Sequence, residues 1–186
     1  MRLFIAVDLG EGVRDAVERR LPELKAQAPH ARWLKPEVLH VTLAFLGEVD
    51  EEKVPALSAA VTEVAARHPK HTLAARGGGS FGSARRPRVL WIGLTGQTEA
   101  LGALHADLST VLKGLGLPLE ERAFSPHLTL ARAKDPRGDA HLAACVQSLS
   151  DFNVDECVID HLTLFHSKLS PQGATHVPLV EAKLGG

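Results

Sequence analysis

Residues 39–47 read Leu39-His40-Val41-Thr42-Leu43-Ala44-Phe45-Leu46-Gly47, and residues 125–132 read Ser125-Pro126-His127-Leu128-Thr129-Leu130-Ala131-Arg132. Both hold the pattern His, apolar, Thr, apolar. Side chains along a strand alternate between two faces, so each pattern sets His and Thr on one face and two apolar residues on the other. One face is then polar and reactive while its reverse is core. With 10 His and nine Thr in 186 residues, chance supplies about 0.1 such matches. Three occur, the third being His161-Leu162-Thr163-Leu164.

Working outward, the first motif lies in a β-rich run from Val38 to Leu46 and the second in one from His127 to Ala131. Before the first come an apolar strand at residues 3–9 and a helical stripe of Val13, Val17, Leu21 and Leu24, which Pro22 should kink or shorten. After it, Asp50 is placed to cap a helix with Val54, Leu57, Val61 and Val64 on its inner face. Extended residues 71–75 then run into Gly77-Gly78-Gly79-Ser80-Phe81-Gly82, read as a flexible rim. The order repeats: a strand at 89–94, a helix with Leu101, Leu104, Leu108, Leu112 and Leu115, the second motif, and a short helix with Leu142, Cys145, Val146 and Leu149. Strands at 158–165 and 177–180, with a turn at Pro171-Gln172-Gly173, finish the chain.

Corresponding elements stand about 85–88 residues apart. This predicts an α+β, bilobal duplicated fold: two mostly antiparallel sheets around a central cleft, with helices on the outer faces. Residues 1–186 would form one bilobal domain, with pseudo-repeats at about 1–82 and 88–186. A twofold relation would bring His40, Thr42, His127 and Thr129 to one cleft. Two imidazoles and two hydroxyls suit acid–base chemistry on a phosphodiester, one ring taking a proton and the other giving one while the hydroxyls hold the non-bridging oxygens. His161 falls in the third strand of its half without a repeat partner, so it is read as structural.

Composition narrows the rest. Twenty-one basic against 22 acidic residues give a net charge of −1, so no global field attracts nucleic acid and any RNA contact is local. The dense basic run Arg85-Arg86-Pro87-Arg88 is read as a solvated face, with guidance of an RNA backbone as the alternative. Trp33 and Phe45 are read as core, with stacking on a base as the alternative. Apolar runs are far shorter than the roughly 20 residues a membrane helix needs, and no secretory segment is evident at the start. The two cysteines, Cys145 and Cys157, form no metal-binding spacing. The expectation is a cytoplasmic protein, monomeric, away from membranes, without cofactor or metal: Thr is a poor ligand and no third His or carboxylate repeats with the pair.

The two motifs, the opening Arg2-Leu3-Phe4-Ile5-Ala6-Val7-Asp8, Trp33, Phe81, Pro87-Arg88-Val89-Leu90-Trp91, and Leu164-Phe165-His166-Ser167 leading to Gly173 together resemble the two-histidine (2H) phosphoesterases. Within them the chain is similar to the RNA 2′,3′-cyclic phosphodiesterases, formerly called 2′-5′ RNA ligases, over essentially its whole length. The resemblance implies that His40 is the proton donor, that His127 is the proton acceptor, and that Thr42, Thr129 and Arg132 bind phosphate. It implies hydrolysis of a 2′,3′-cyclic phosphate on RNA to a 2′-phosphate. Joining of tRNA half-molecules through a 2′-5′ linkage, or an RNA-end-binding module without turnover, are the alternatives. The family often carries Tyr near the final strands, where this Tyr-free chain has Phe165 and His176.

Overall fold

Alternating apolar and polar residues fold here into two antiparallel sheets, and a computed structural model describes residues 1–185 of them. In chain order the elements are β1 (Arg2–Val7), α1 (Glu11–Gln27), β2 (Arg32–Trp33), β3 (Val41–Glu48), α2 (Val54–Ala66), β4 (His71–Gly82), β5 (Pro87–Gly96), α3 (Thr98–Gly114), β6 (His127–Arg132), α4 (His141–Ser148), β7 (Asn153–Ile159), β8 (His161–Ser170) and β9 (Gly173–Lys183). One sheet runs β3-β1-β8-β9 and the other β2-β6-β5-β4-β7. Every recorded strand pair is antiparallel. The sheets do not follow the halves of the sequence. β1 takes β8 as its neighbour and β5 takes β4, so each half lends its third strand to the other.

Helices pack against both sheets. α2 packs on β8, β9 and α3, while α4 packs on β4 and β5, and α1 on α4 and β7. Leu101, Leu104, Leu108 and Leu112 of α3 are fully buried, as their stripe predicts, whereas Leu115 follows the last helical residue and is exposed. The large core continues through both sheets, and a small separate cluster of Phe4, Ala6 and Phe165 sits elsewhere in the four-stranded sheet. No helix among the described residues is long and apolar enough to cross a membrane. Both cysteines are free and buried, and burial pushes the Cys145 thiol up to about 11.

Several local expectations change. Pro22 lies inside α1, which runs on to Gln27. Asp50 makes no side-chain cap; it leads into a 3₁₀ turn, Glu51–Lys53, ahead of α2. The glycine-rich stretch is strand rather than loop, paired with β5 along its length. Gly77 adopts φ +67 at a register shift, where a side chain would be strained. Residues 158–165 are two strands in different sheets, divided at Asp160.

Candidate active site

Both motif strands carry an extra residue three positions after the histidine, and this decides which side chains reach the cleft. Opposite β1, Ile5 pairs with Ala44 and Ala6 with Thr42, leaving Leu43 unmatched. Opposite β5, Leu90 pairs with Ala131 and Trp91 with Thr129, leaving Leu130 unmatched. A bulge of this kind resets the two-residue alternation. Leu43 and Ala44 are therefore both buried, as are Leu130 and Ala131. The fifth residue after each histidine, which strict alternation would send inward, turns to the cleft. That residue is Phe45 in β3 and Arg132 in β6. Phe45 is thus no core residue: it is 57% exposed.

A cleft of about 590 Å³ is lined by His40, Thr42, Phe45, His127, Thr129 and Arg132, with Phe4, Ser167 and His176 among its other walls. β3 and β6 touch where the sheets meet, so the two motifs share this space. A second cavity of about 280 Å³ adjoins it through Thr42, Phe45 and His127, and reaches Phe81 and the stacked pair His105 and Phe124.

The two histidines are held alike. Nδ1 of His40 donates to the Val38 carbonyl at 3.2 Å, and Nδ1 of His127 to the Ser125 carbonyl at 2.7 Å. A carbonyl only accepts, so the proton sits on Nδ1 and each neutral ring keeps a bare Nε2 for chemistry. Aromatic rings fix both imidazoles. His40 packs on Phe165 at 4.6 Å, and Phe165 stacks on Phe4 at 5.0 Å. His127 meets Phe81 edge-on at 4.9 Å and Trp91 at 6.0 Å.

Burial lowers the pKa of both rings, and their charged neighbours then differ. The Asp8 carboxylate pulls the His40 pKa back up, opposed in smaller measure by Arg14 and His161. At His127 the Ser125 bond raises it while the Arg132 guanidinium lowers it. Asp8 is itself held by Arg14 in a two-point ion pair (3.1 and 2.7 Å) and by the Gly10 amide at 2.9 Å. Sequence reasoning missed Asp8; the signal was an acid closing the apolar strand beside the first motif.

The third motif stays apart. Thr163 is buried, and His161 opens on a separate pocket with Lys70, Glu181 and Lys183, its Nδ1 2.5 Å from Asp160. Trp33 is half-buried against the core and donates from Nε1 to the Ala28 carbonyl at 2.9 Å. The basic run forms the β4–β5 hairpin tip, where Arg86 bonds the Gly138 carbonyl at 3.0 Å. Among the described residues no group of three His, Cys, Asp or Glu side chains is arranged to hold a metal ion.

Comparison with known proteins agrees with this architecture. Proteins named RNA 2′,3′-cyclic phosphodiesterase match nearly end to end: one from Archaeoglobus fulgidus is 35% identical over 96% of this chain and 98% of its own. One from Methanothermobacter thermautotrophicus is 32% identical over 96% of both chains. A solved structure from Thermus thermophilus superposes with a TM-score of 0.76 at 28% identity, covering 100% of this chain and 99% of that one. E. coli LigT in complex with 3′-AMP gives 0.75 at 27% identity, covering 100% and 98%. The model of LigT-like phosphoesterases matches twice, over residues 7–91 and again over 92–176. A sequence matched in both halves by one family model, and carrying one bulged His-x-Thr strand in each, belongs to the LigT-like phosphoesterase family of 2H enzymes.

Proposed function

We propose that the protein is an RNA 2′,3′-cyclic phosphodiesterase that opens the cyclic phosphate to a 2′-phosphate by acid–base catalysis, without a metal. One observation carries this reading: two imidazoles, each with its Nδ1 proton tied to a carbonyl, line one cleft beside two threonines. The bare Nε2 of His127 takes a proton from water, which attacks phosphorus in line. The opposite bond, to the 3′ oxygen, breaks as protonated His40 delivers its Nε2 proton there. Thr42 and Thr129 donate to the non-bridging oxygens, and the Arg132 guanidinium offsets the negative charge that builds on them.

The local charges support these roles. Asp8 favours the protonated form of His40, the state an acid needs, and Arg132 favours the neutral form of His127, the state a base needs. The substrate end would be a single RNA terminus, tRNA halves included, bound by a monomer.

The test uses an oligonucleotide ending in a 2′,3′-cyclic phosphate and its analogue with sulfur at the 3′ leaving position. His40→Ala and His127→Ala each lose on the order of 10²-fold or more on the oxygen substrate, while His161→Ala stays within a few-fold. A thiolate leaves without protonation, so sulfur rescues His40→Ala and leaves His127→Ala slow. Rescue of His127→Ala instead reverses the roles, and loss at His161 equal to the others overturns the choice of pair.

A further inference from the structure

His176 is the one cleft-lining imidazole that the reaction above leaves without work. It stands on β9 opposite Ser167 of β8. Its ring meets Phe4 edge-on at 4.7 Å and lies 5.8 Å from the ring of His40. Nδ1 is wholly shielded and has no hydrogen-bond partner. Nε2 is not among the buried, unpartnered atoms, and the residue lines the cleft, so Nε2 is the nitrogen left to serve it.

These facts fix the state of the ring. A protonated imidazole would bury an N–H at Nδ1 with nothing to accept it, and burial together with nearby His40 holds the pKa below its ordinary value. The neutral ring has a single N–H. An orphaned buried donor is rarer than an under-satisfied buried acceptor, so the hydrogen sits on Nε2. His40 and His127 in their neutral forms show the cleft a lone pair; His176 shows it a donor.

The bulges say where a donor is needed. On the His127 side the fifth residue is Arg132, which lines the cleft with Thr129 and brings a fork of donors. On the His40 side the same position is Phe45, which has no donor to offer. We propose that His176 is a further substrate-contacting catalytic residue, a neutral Nε2–H donor to a non-bridging oxygen of the cyclic phosphate on the His40 side. It is a counterpart, from a different strand, to the role proposed for Arg132. The inference rests on the cyclic-phosphate reading of the cleft.

Two amides separate the nitrogens. The terminal NH₂ of Gln falls near Nε2 of a histidine, whereas that of Asn reaches only Nδ1. The experiment measures kcat/KM of wild type, His176→Gln, His176→Asn and His176→Phe on a 2′,3′-cyclic nucleotide, with a thermal melt of each. His176→Phe loses about tenfold to a hundredfold, as for a lost hydrogen bond to a charged group. His176→Gln stays within a few-fold of wild type, and His176→Asn falls with the Phe variant. Equal activities in all three variants, whether high or low, overturn the donor, as does an Asn variant that outperforms Gln. A wild type without turnover overturns the phosphodiesterase reading itself; an active wild type with indifferent variants overturns only His176.

Discussion

Gly79→Ala is a one-carbon change on β4, and the structure predicts that it disables His127. Gly79 pairs with Trp91 of β5, whose indole lies across it. A Cβ at Gly79 would stand 2.2, 2.4 and 2.5 Å from three atoms of the outer edge of that indole. The tightest ordinary contact is near 3.4 Å, so the ring must withdraw by about 1 Å, an overpacking that costs about 1–3 kcal/mol. At ~2–4 °C per kcal/mol for a chain of this size, the melting temperature falls by roughly 2–12 °C. Trp91 and Phe81 lie 5.4 Å apart and both pack against His127, so the proposed base should move with them. A misplacement of about 1 Å at a reacting group can cost ~10²-fold, and kcat/KM on a 2′,3′-cyclic nucleotide should fall by about that factor. The atoms in conflict belong to the far edge of the indole, which a phenyl ring lacks. Trp91→Phe in the Gly79→Ala background should therefore recover part of the loss. A Gly79→Ala protein that melts and turns over like wild type refutes the account, and so does a double variant no better than the single.

Two other outcomes follow from the site. The proposed mechanism needs His40 charged and His127 neutral, and burial holds the pKa of both rings below the ordinary 6.5 by disfavouring their charged forms. The bell in kcat/KM against pH is therefore centred on the acid side of 6.5, and Asp8→Asn, which removes the carboxylate that raises His40, moves it further down; a centre above pH 7 contradicts the reasoning. Excess chelator should leave the rate of cyclic-phosphate hydrolysis unchanged, because the proposed mechanism draws its protons and donors from imidazole and hydroxyl groups; abolition by chelator with rescue by zinc or manganese would replace the mechanism.

The His-x-Thr pattern was legible because it depends only on the two-residue alternation within one strand. What lay beyond it depended on partners. The bulges at Leu43 and Leu130 appear only when β3 and β6 are set against β1 and β5, so periodicity alone sends Phe45 to the core. Arg132 was reached through family resemblance, and the bulge supplies its physical reason. The glycine run reads as loop because glycine favours no strand. In place, Gly79 leaves room for Trp91, a constraint set by a residue on another strand. Asp160 looks like one polar residue in an apolar run, yet the chain changes sheets there. His176 stood out only as a departure from family habit, since nothing local says which of its nitrogens is shielded.

The exchange of third strands has a consequence for how the molecule comes into being. Leu3 pairs with His166, and His71 with Ile159, so neither sheet closes until nearly the whole chain is present. Such remote pairings place folding toward the slow end for domains of its kind, since loop closure must precede the contacts that reward it. They should also make the halves unfold as one unit, although the sequence reads as a duplication. A single half has an unpaired edge where its partner's third strand belongs, and a second identical half could fill it by the same exchange. The proposed acid and base reside on strands of two sheets that each draw on both halves, so the two motifs should be assembled together and lost together.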